Sequence, residues 1–227
     1  MKIWLSILLA GTLAAVAPAD LERARDLEDR ATLERSLTEL SSEAAKAPDN
    51  PEAHYRLALA ASYLAEISLE LGDKSGAENA AKTGIPGAER AVALRPENAE
   101  YHRLLGTLCG QVIPANVLAG MGYGSRAQAE IDRAIALDPK SSGAYLARGI
   151  GNYYKPSMLG GGPEVAVPDI RRAIELDPKS AEAYLWLGLA LRKLHQNAAA
   201  REAFARSLEL KPRRIWTKQQ LDKTPAK

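Results

Sequence analysis

The chain has 227 residues, with 30 Lys and Arg against 28 Asp and Glu and a single cysteine. That balance lacks the clustered positive field a nucleic-acid partner requires, and one cysteine excludes an internal disulfide framework. With one Phe and three Trp, a core has to be built chiefly from Ala, Leu and Tyr.

The first element is an export signal. Met1 and Lys2 give a short positive start, Ile3 to Val16 is apolar apart from Ser6, Gly11 and Thr12, and Ala17-Pro18-Ala19 has the small-x-small form of a cleavage site. This pattern predicts a secretory signal peptide over residues 1–19 and a periplasmic mature chain. A membrane span needs about 20 apolar residues. Pro18 and the charges from Asp20 onward stop this segment short, so no stable span is expected after cleavage; retention as an anchor is the alternative.

Residues 20–47 are expected to form an N-terminal capping helix. Leu21, Leu27, Leu33, Leu37 and Leu40 make its apolar stripe, opposite Glu22, Arg25, Glu28, Arg30, Glu34 and Arg35.

From Pro48 the chain is periodic. Pro48, Pro96, Pro139, Pro178 and Pro212 stand 48, 43, 39 and 34 residues apart, and the last four close the phrases AVALRP, AIALDP, AIELDP and SLELKP. A period near 34 signals stacked helical hairpins. In the last unit Tyr184, Leu187, Gly188 and Leu191, then Ala200, Phe204 and Ser207, resemble the tetratricopeptide consensus. The small residues Gly188 and Ala200 fall where two helices approach closely. The preceding units repeat the pattern with Tyr145 and Gly149, with His102, Leu105, Gly106 and Cys109, and with His54, Leu57 and Ala58. The resemblance implies an all-α, right-handed α-solenoid of about four hairpins over residues 48–212, divided at about 48–96, 97–139, 140–178 and 179–212. A C-terminal cap and tail would occupy residues 213–227.

The longer intervals mark insertions, expected between the first and second helix of each hairpin, where they would gather along one edge. In the second unit Val112-Ile113-Pro114 ends the first helix, and Val117 to Gly124 precede Ser125, which is expected to cap the next. In the third, Tyr153-Tyr154-Lys155-Pro156 leads into Ser157-Met158-Leu159 and the glycines Gly160, Gly161 and Gly162. Three helical glycines would cost about 3 kcal/mol relative to alanine, so this stretch is expected to be a loop. It does not suit phosphate, because Pro163 removes a backbone donor and Glu164 puts a carboxylate where the anion would sit. Pro86 and Pro168, each ten residues before a repeat proline, predict second helices that begin late or bend, with a break at Gly84-Ile85-Pro86-Gly87.

The phrases LLGTLCGQVI, AGMGYGS, ARGIGNYYKPSMLGGGPEVA and WTKQQLDKTP are similar to those of exported bacterial tetratricopeptide proteins with a GGG-containing third hairpin. That group implies architecture and compartment, and no established activity. A less specific similarity is to the helical-repeat component of periplasmic TRAP transporters.

Chemistry is sparse. No GxSxG elbow occurs and Cys109 falls in a core phase. His54 and His102 take the aromatic packing position, and no carboxylate stands at metal-ligand spacing. The expectation is a protein without enzymatic activity, cofactor or metal, and the remaining class is binding. First helices of such hairpins line a concave groove, which would place Tyr55, Arg103, Thr107, Tyr153, Tyr154 and Arg192 against an unidentified protein or peptide. Met121, Tyr123, Met158, Gly160, Gly161 and Gly162 would form a lip beside it. The alternative is a small-ligand or transport-accessory protein whose inserted loops enclose a pocket lined by Met121, Tyr123, Tyr153 and Met158.

Overall fold

In a computed structural model, residues 16–114 and 120–226 are described. Residues 1–15, 115–119 and 227 lie outside them, and with them most of the predicted signal peptide and part of the second-unit insertion. Among the described residues every regular element is helical: α1 (Pro18–Asp26), α2 (Arg30–Lys46), α3 (Pro51–Glu70), α4 (Lys74–Leu94), α5 (Ala99–Val112), α6 (Gly120–Leu137), α7 (Ser142–Tyr154), α8 (Pro163–Leu176), α9 (Ala181–Lys193), α10 (Asn197–Leu210) and α11 (Ile215–Asp222). The helices α3 to α10 pair into four antiparallel hairpins, and the fold is an α-solenoid.

Each first helix starts by the same local chemistry. Two residues after a repeat proline, Asn50, Asn98, Ser141 and Ser180 accept hydrogen bonds from backbone N–H groups of the first turn of α3, α5, α7 and α9. Such caps are each worth about 1 kcal/mol. Within a hairpin the small position sets the approach: a Cβ on Gly106 would lie 2.7 Å from Ile131, one on Gly149 2.7 Å from Ile170, and one on Gly188 2.6 Å from Phe204. These glycines trade helix propensity for contact between first and second helix.

Three details differ from the sequence-based expectation. The capping segment 20–47 is two helices, α1 and α2, because Glu28 adopts a left-handed φ of 52° between them. The second helix of the first unit is unbroken through Pro86, and α8 likewise runs through Pro168. Both prolines, and the residues 82 and 164 whose carbonyls lose a donor, are exposed. Solvent can satisfy the freed carbonyls. Helix α6 starts at Gly120, ahead of Ser125, so Gly122 and Gly124 are helical.

The insertions also differ in kind. In the third unit the extra residues form a loop, with a single 3-10 turn at Ser157–Leu159. In the first they form no loop: α3 has 20 residues and α4 has 21, against 13 in α9 and 14 in α10. At about 1.5 Å per residue, the seven added positions lengthen each helix by about 10 Å. The first hairpin therefore protrudes past the others, carrying Glu66 and Glu70 on its last turns.

The apolar interior falls into two clusters. One draws on α1 to α6, with Leu21, Leu33, Ile67, Leu104 and Leu108 at its centre; the other draws on α7 to α11, around Leu185, Trp186, Ile170 and Phe204.

Candidate functional site

The residues expected to line a groove lie on the first helices α3, α5, α7 and α9, and the structure gives them different surroundings. Tyr55 stacks on Tyr101, ring centroids 5.2 Å apart, and its hydroxyl donates to Glu100 Oε1 at 3.0 Å. Arg103 is engaged by the same carboxylate, Nε to Glu100 Oε2 at 2.6 Å, and reaches Thr107 Oγ1 at 3.4 Å. Thr107 in turn donates to the carbonyl of Arg103. Arg192 spends its donors on the C-terminal cap: Gln220 Oε1 at 2.7 Å, the Gln220 carbonyl at 3.2 Å and Thr224 Oγ1 at 3.3 Å. Both arginines have internal acceptors in this conformation.

Tyr153 and Tyr154 belong to an aromatic group. Their rings meet edge to face at 5.2 Å, both lie 5.7 Å from Trp186, and Trp186 lies 5.8 Å from Trp216 on α11. Lys193 Nζ stands 4.5 Å over the Tyr153 ring. Tyr154 remains exposed, and beyond it Met158, 90% exposed, and Leu159 project from the third-unit loop. Gly160 and Gly162 have φ of 76° and 115°, and the Gly162 N–H donates to the Asn152 carbonyl at 2.8 Å. That bond and the positive φ hold the loop against the end of α7. Tyr123 packs on the first apolar cluster and Tyr153 on the second, while Met158 is exposed. The side chain of Met121 lies outside the described residues.

A buried charge cluster joins α1, α3, α9 and the turn before α11, and none of the groove residues expected from the sequence belongs to it. Arg214, in the turn before α11, is 1% exposed. Its Nη1 donates to Glu70 Oε2 at 3.0 Å and its Nη2 to Glu66 Oε1 at 2.8 Å, with a second, shorter contact to Glu70. Its Nε lies 3.7 Å from both Asp26 and Glu182. Arg25 on α1 approaches the same carboxylates, 3.9 Å from Glu66 and 3.7 Å from Glu182, with its guanidinium 4.9 Å over the Tyr63 ring. Lys211 pairs with Glu22 and reaches Asp26. Four carboxylates, from Asp26, Glu66, Glu70 and Glu182, thus face the guanidinium groups of Arg25 and Arg214. Burial, and then the charge of Glu66, pushes the Glu70 carboxyl up to about 9. Burial likewise raises Glu66. Burial would raise Glu182 too, but Arg25 and Arg214 beside it hold it below its ordinary range.

A signal for Arg214 was present in the repeat. The phrase proline, any residue, then Asn or Ser recurs at Pro48, Pro96, Pro139 and Pro178; after Pro212 the capping position is Arg214. Helix α11 accordingly has no side-chain cap. Arg214 forgoes a cap worth about 1 kcal/mol and makes the contacts with Glu66 and Glu70 instead.

A family model described as Regulator of microtubule dynamics protein 1-3 matches residues 20–155, and a tetratricopeptide repeat model matches residues 160–215. Among solved structures, a thermophilic tetratricopeptide protein of Thermus thermophilus is 20% identical, with 91% of this chain and 98% of that one covered and a TM-score of 0.64. The HusA haemophore of Porphyromonas gingivalis is 18% identical, with 87% and 94% covered and a TM-score of 0.56. At these identities the likeness is one of fold. No curated protein matches significantly.

Proposed function

The chain belongs to the family described as Regulator of microtubule dynamics protein 1-3, and from that premise and its repeat fold we propose that it is a non-enzymatic scaffold holding a protein or peptide partner on its concave face. The family is described by an effect on microtubules; for this chain the proposal keeps only binding to a protein. Export over residues 1–19, and with it a place in the bacterial cell envelope, is part of the same proposal and rests on the sequence pattern alone.

One observation carries the reading. First helices of this chain already receive polypeptide: the Tyr63 ring and the carboxylates of Glu66 and Glu70 on α3, and that of Glu182 on α9, meet arginines from the chain's own α1 and pre-α11 turn. Side chains of this kind, aromatic anchors with hydrogen-bonded charges, dominate binding energy at protein interfaces.

The test is site-specific photocrosslinking of the full chain in an envelope extract. A photoreactive side chain at Tyr154, exposed at the end of α7, is expected to capture a partner that the same group at Lys82, exposed on α4, does not. Equal capture at both positions, or capture at Lys82 alone, refutes a concave-face scaffold. N-terminal sequencing of the exported chain should begin at Asp20.

A further inference from the structure

In a solenoid each repeat touches its neighbours, and stability follows from repeat and nearest-neighbour terms. Contacts between Arg214 and Arg25, and between Lys211 and Glu22, join residues 189 positions apart. They link the first elements of the array to the last, so they are additional to what stacking requires. They also lie between two apolar clusters that share no residue.

We propose that α1, the protruding end of α3, α9 and the turn before α11 form an ionic clasp that closes the concave face, and that the clasp opens with both halves of the solenoid still folded. The protrusion of α3 brings Glu66 and Glu70 to Arg214, and the substitution of Arg214 for a helix cap supplies the opposing charge. A buried network of this kind contributes little net stability, because desolvation offsets most of the Coulomb attraction. Opening rehydrates all of its members together and leaves none buried without a partner. The carboxylates of Glu66, Glu70 and Glu182, each paired across the two halves, would then be uncovered, and the regulatory meaning of the clasp rests on the partner-binding reading above.

The titratable and charged groups facing the clasp are Glu22, Arg25 and Asp26 on α1, Tyr63, Glu66 and Glu70 on α3, Tyr154 on α7, Glu182 on α9, and Lys211 and Arg214 before α11. Glu70 keeps its proton more tightly when closed than a solvated carboxyl would. The sign follows: closure is favoured at low pH and weakens as pH rises toward 9, the closed-to-open ratio falling by up to about tenfold per pH unit from this group.

The experiment places paramagnetic labels on the exposed positions Arg23→Cys and Lys218→Cys of the full chain. Cys109 is buried, and burial pushes its thiol up to about 11, so it stays unlabelled. At pH 7 a single short distance between the labels is expected. Arg214→Asn, which restores the repeat's own cap to α11, should lengthen and broaden that distance while circular dichroism keeps its helix content. Raising the wild type from pH 7 to 10 should lengthen it in the same way. An unchanged distance in Arg214→Asn, or loss of helix throughout that variant, overturns the clasp, and a wild-type distance fixed across the pH range overturns its pH control. These distances are read without a partner, so the clasp can fail while crosslinking through Tyr154 still succeeds, and the reverse.

Discussion

At the scale of single residues, the small position of the repeat and the buried carboxylates make opposite demands. Gly106 sits where a Cβ would meet Ile131 at 2.7 Å and the Ala127 carbonyl at 2.9 Å. Alanine there regains about 1 kcal/mol of helix propensity but forces the α5–α6 contact apart. Gly106→Ala should therefore be destabilising by about 1–2 kcal/mol, lowering the melting temperature by about 2–8 °C in thermal unfolding. Glu70 has a folded pKa raised by burial and by Glu66 to about 9, against roughly 4.3 when unfolded. The stability it contributes is fully present below the unfolded value and is lost as pH rises through the folded one. Glu70→Gln removes that titration, so urea midpoints measured from pH 5 to 9 should fall less steeply with pH in the variant than in the wild type.

Among elements, the first hairpin is the one whose form departs most from the repeat. Sequence spacing located its extra residues, and only the structure showed that they extend α3 and α4 instead of making a loop. Spacing counts residues between markers and is blind to whether they continue a helix. Pro86 argued for a break, yet Pro86 and Lys82 are both exposed, so solvent can take the carbonyl that loses its donor and the helix keeps its path. Pro86→Ala restores that bond on an exposed face; after the added unfolded-state entropy is subtracted, a gain of about 1–2 kcal/mol is expected in equilibrium denaturation. The third-unit loop was legible because three consecutive glycines and Pro156 leave a helix no way through. Its detail, Gly162 at φ 115° donating to Asn152, depended on where α7 ended.

For the molecule as a whole, the two apolar clusters and the polar clasp imply cooperativity that depends on Arg214. With the clasp closed, α1 and the pre-α11 turn couple the halves, and unfolding should be a single transition. In Arg214→Asn, hydrogen exchange should quicken in α1 and α11 while the amides of α9 and α10, buried around Trp186 and Phe204, keep most of their protection.

The sequence by itself determined the repeat, the order of hairpins, their caps and their small contact positions, because each depends on residues within about 34 positions of one another. It also brought Tyr55, Arg103, Thr107, Tyr153, Tyr154 and Arg192 to attention through their places on first helices. Which of these would be spent internally, Arg103 on Glu100 and Arg192 on Gln220, was decided only in three dimensions, as was the meeting of Arg25 and Arg214 with Glu66, Glu70 and Glu182. Periodicity fixes how neighbours stack. How far a helix protrudes, and whether the two ends of the array come within reach of a guanidinium, depend on the summed geometry of every repeat between them.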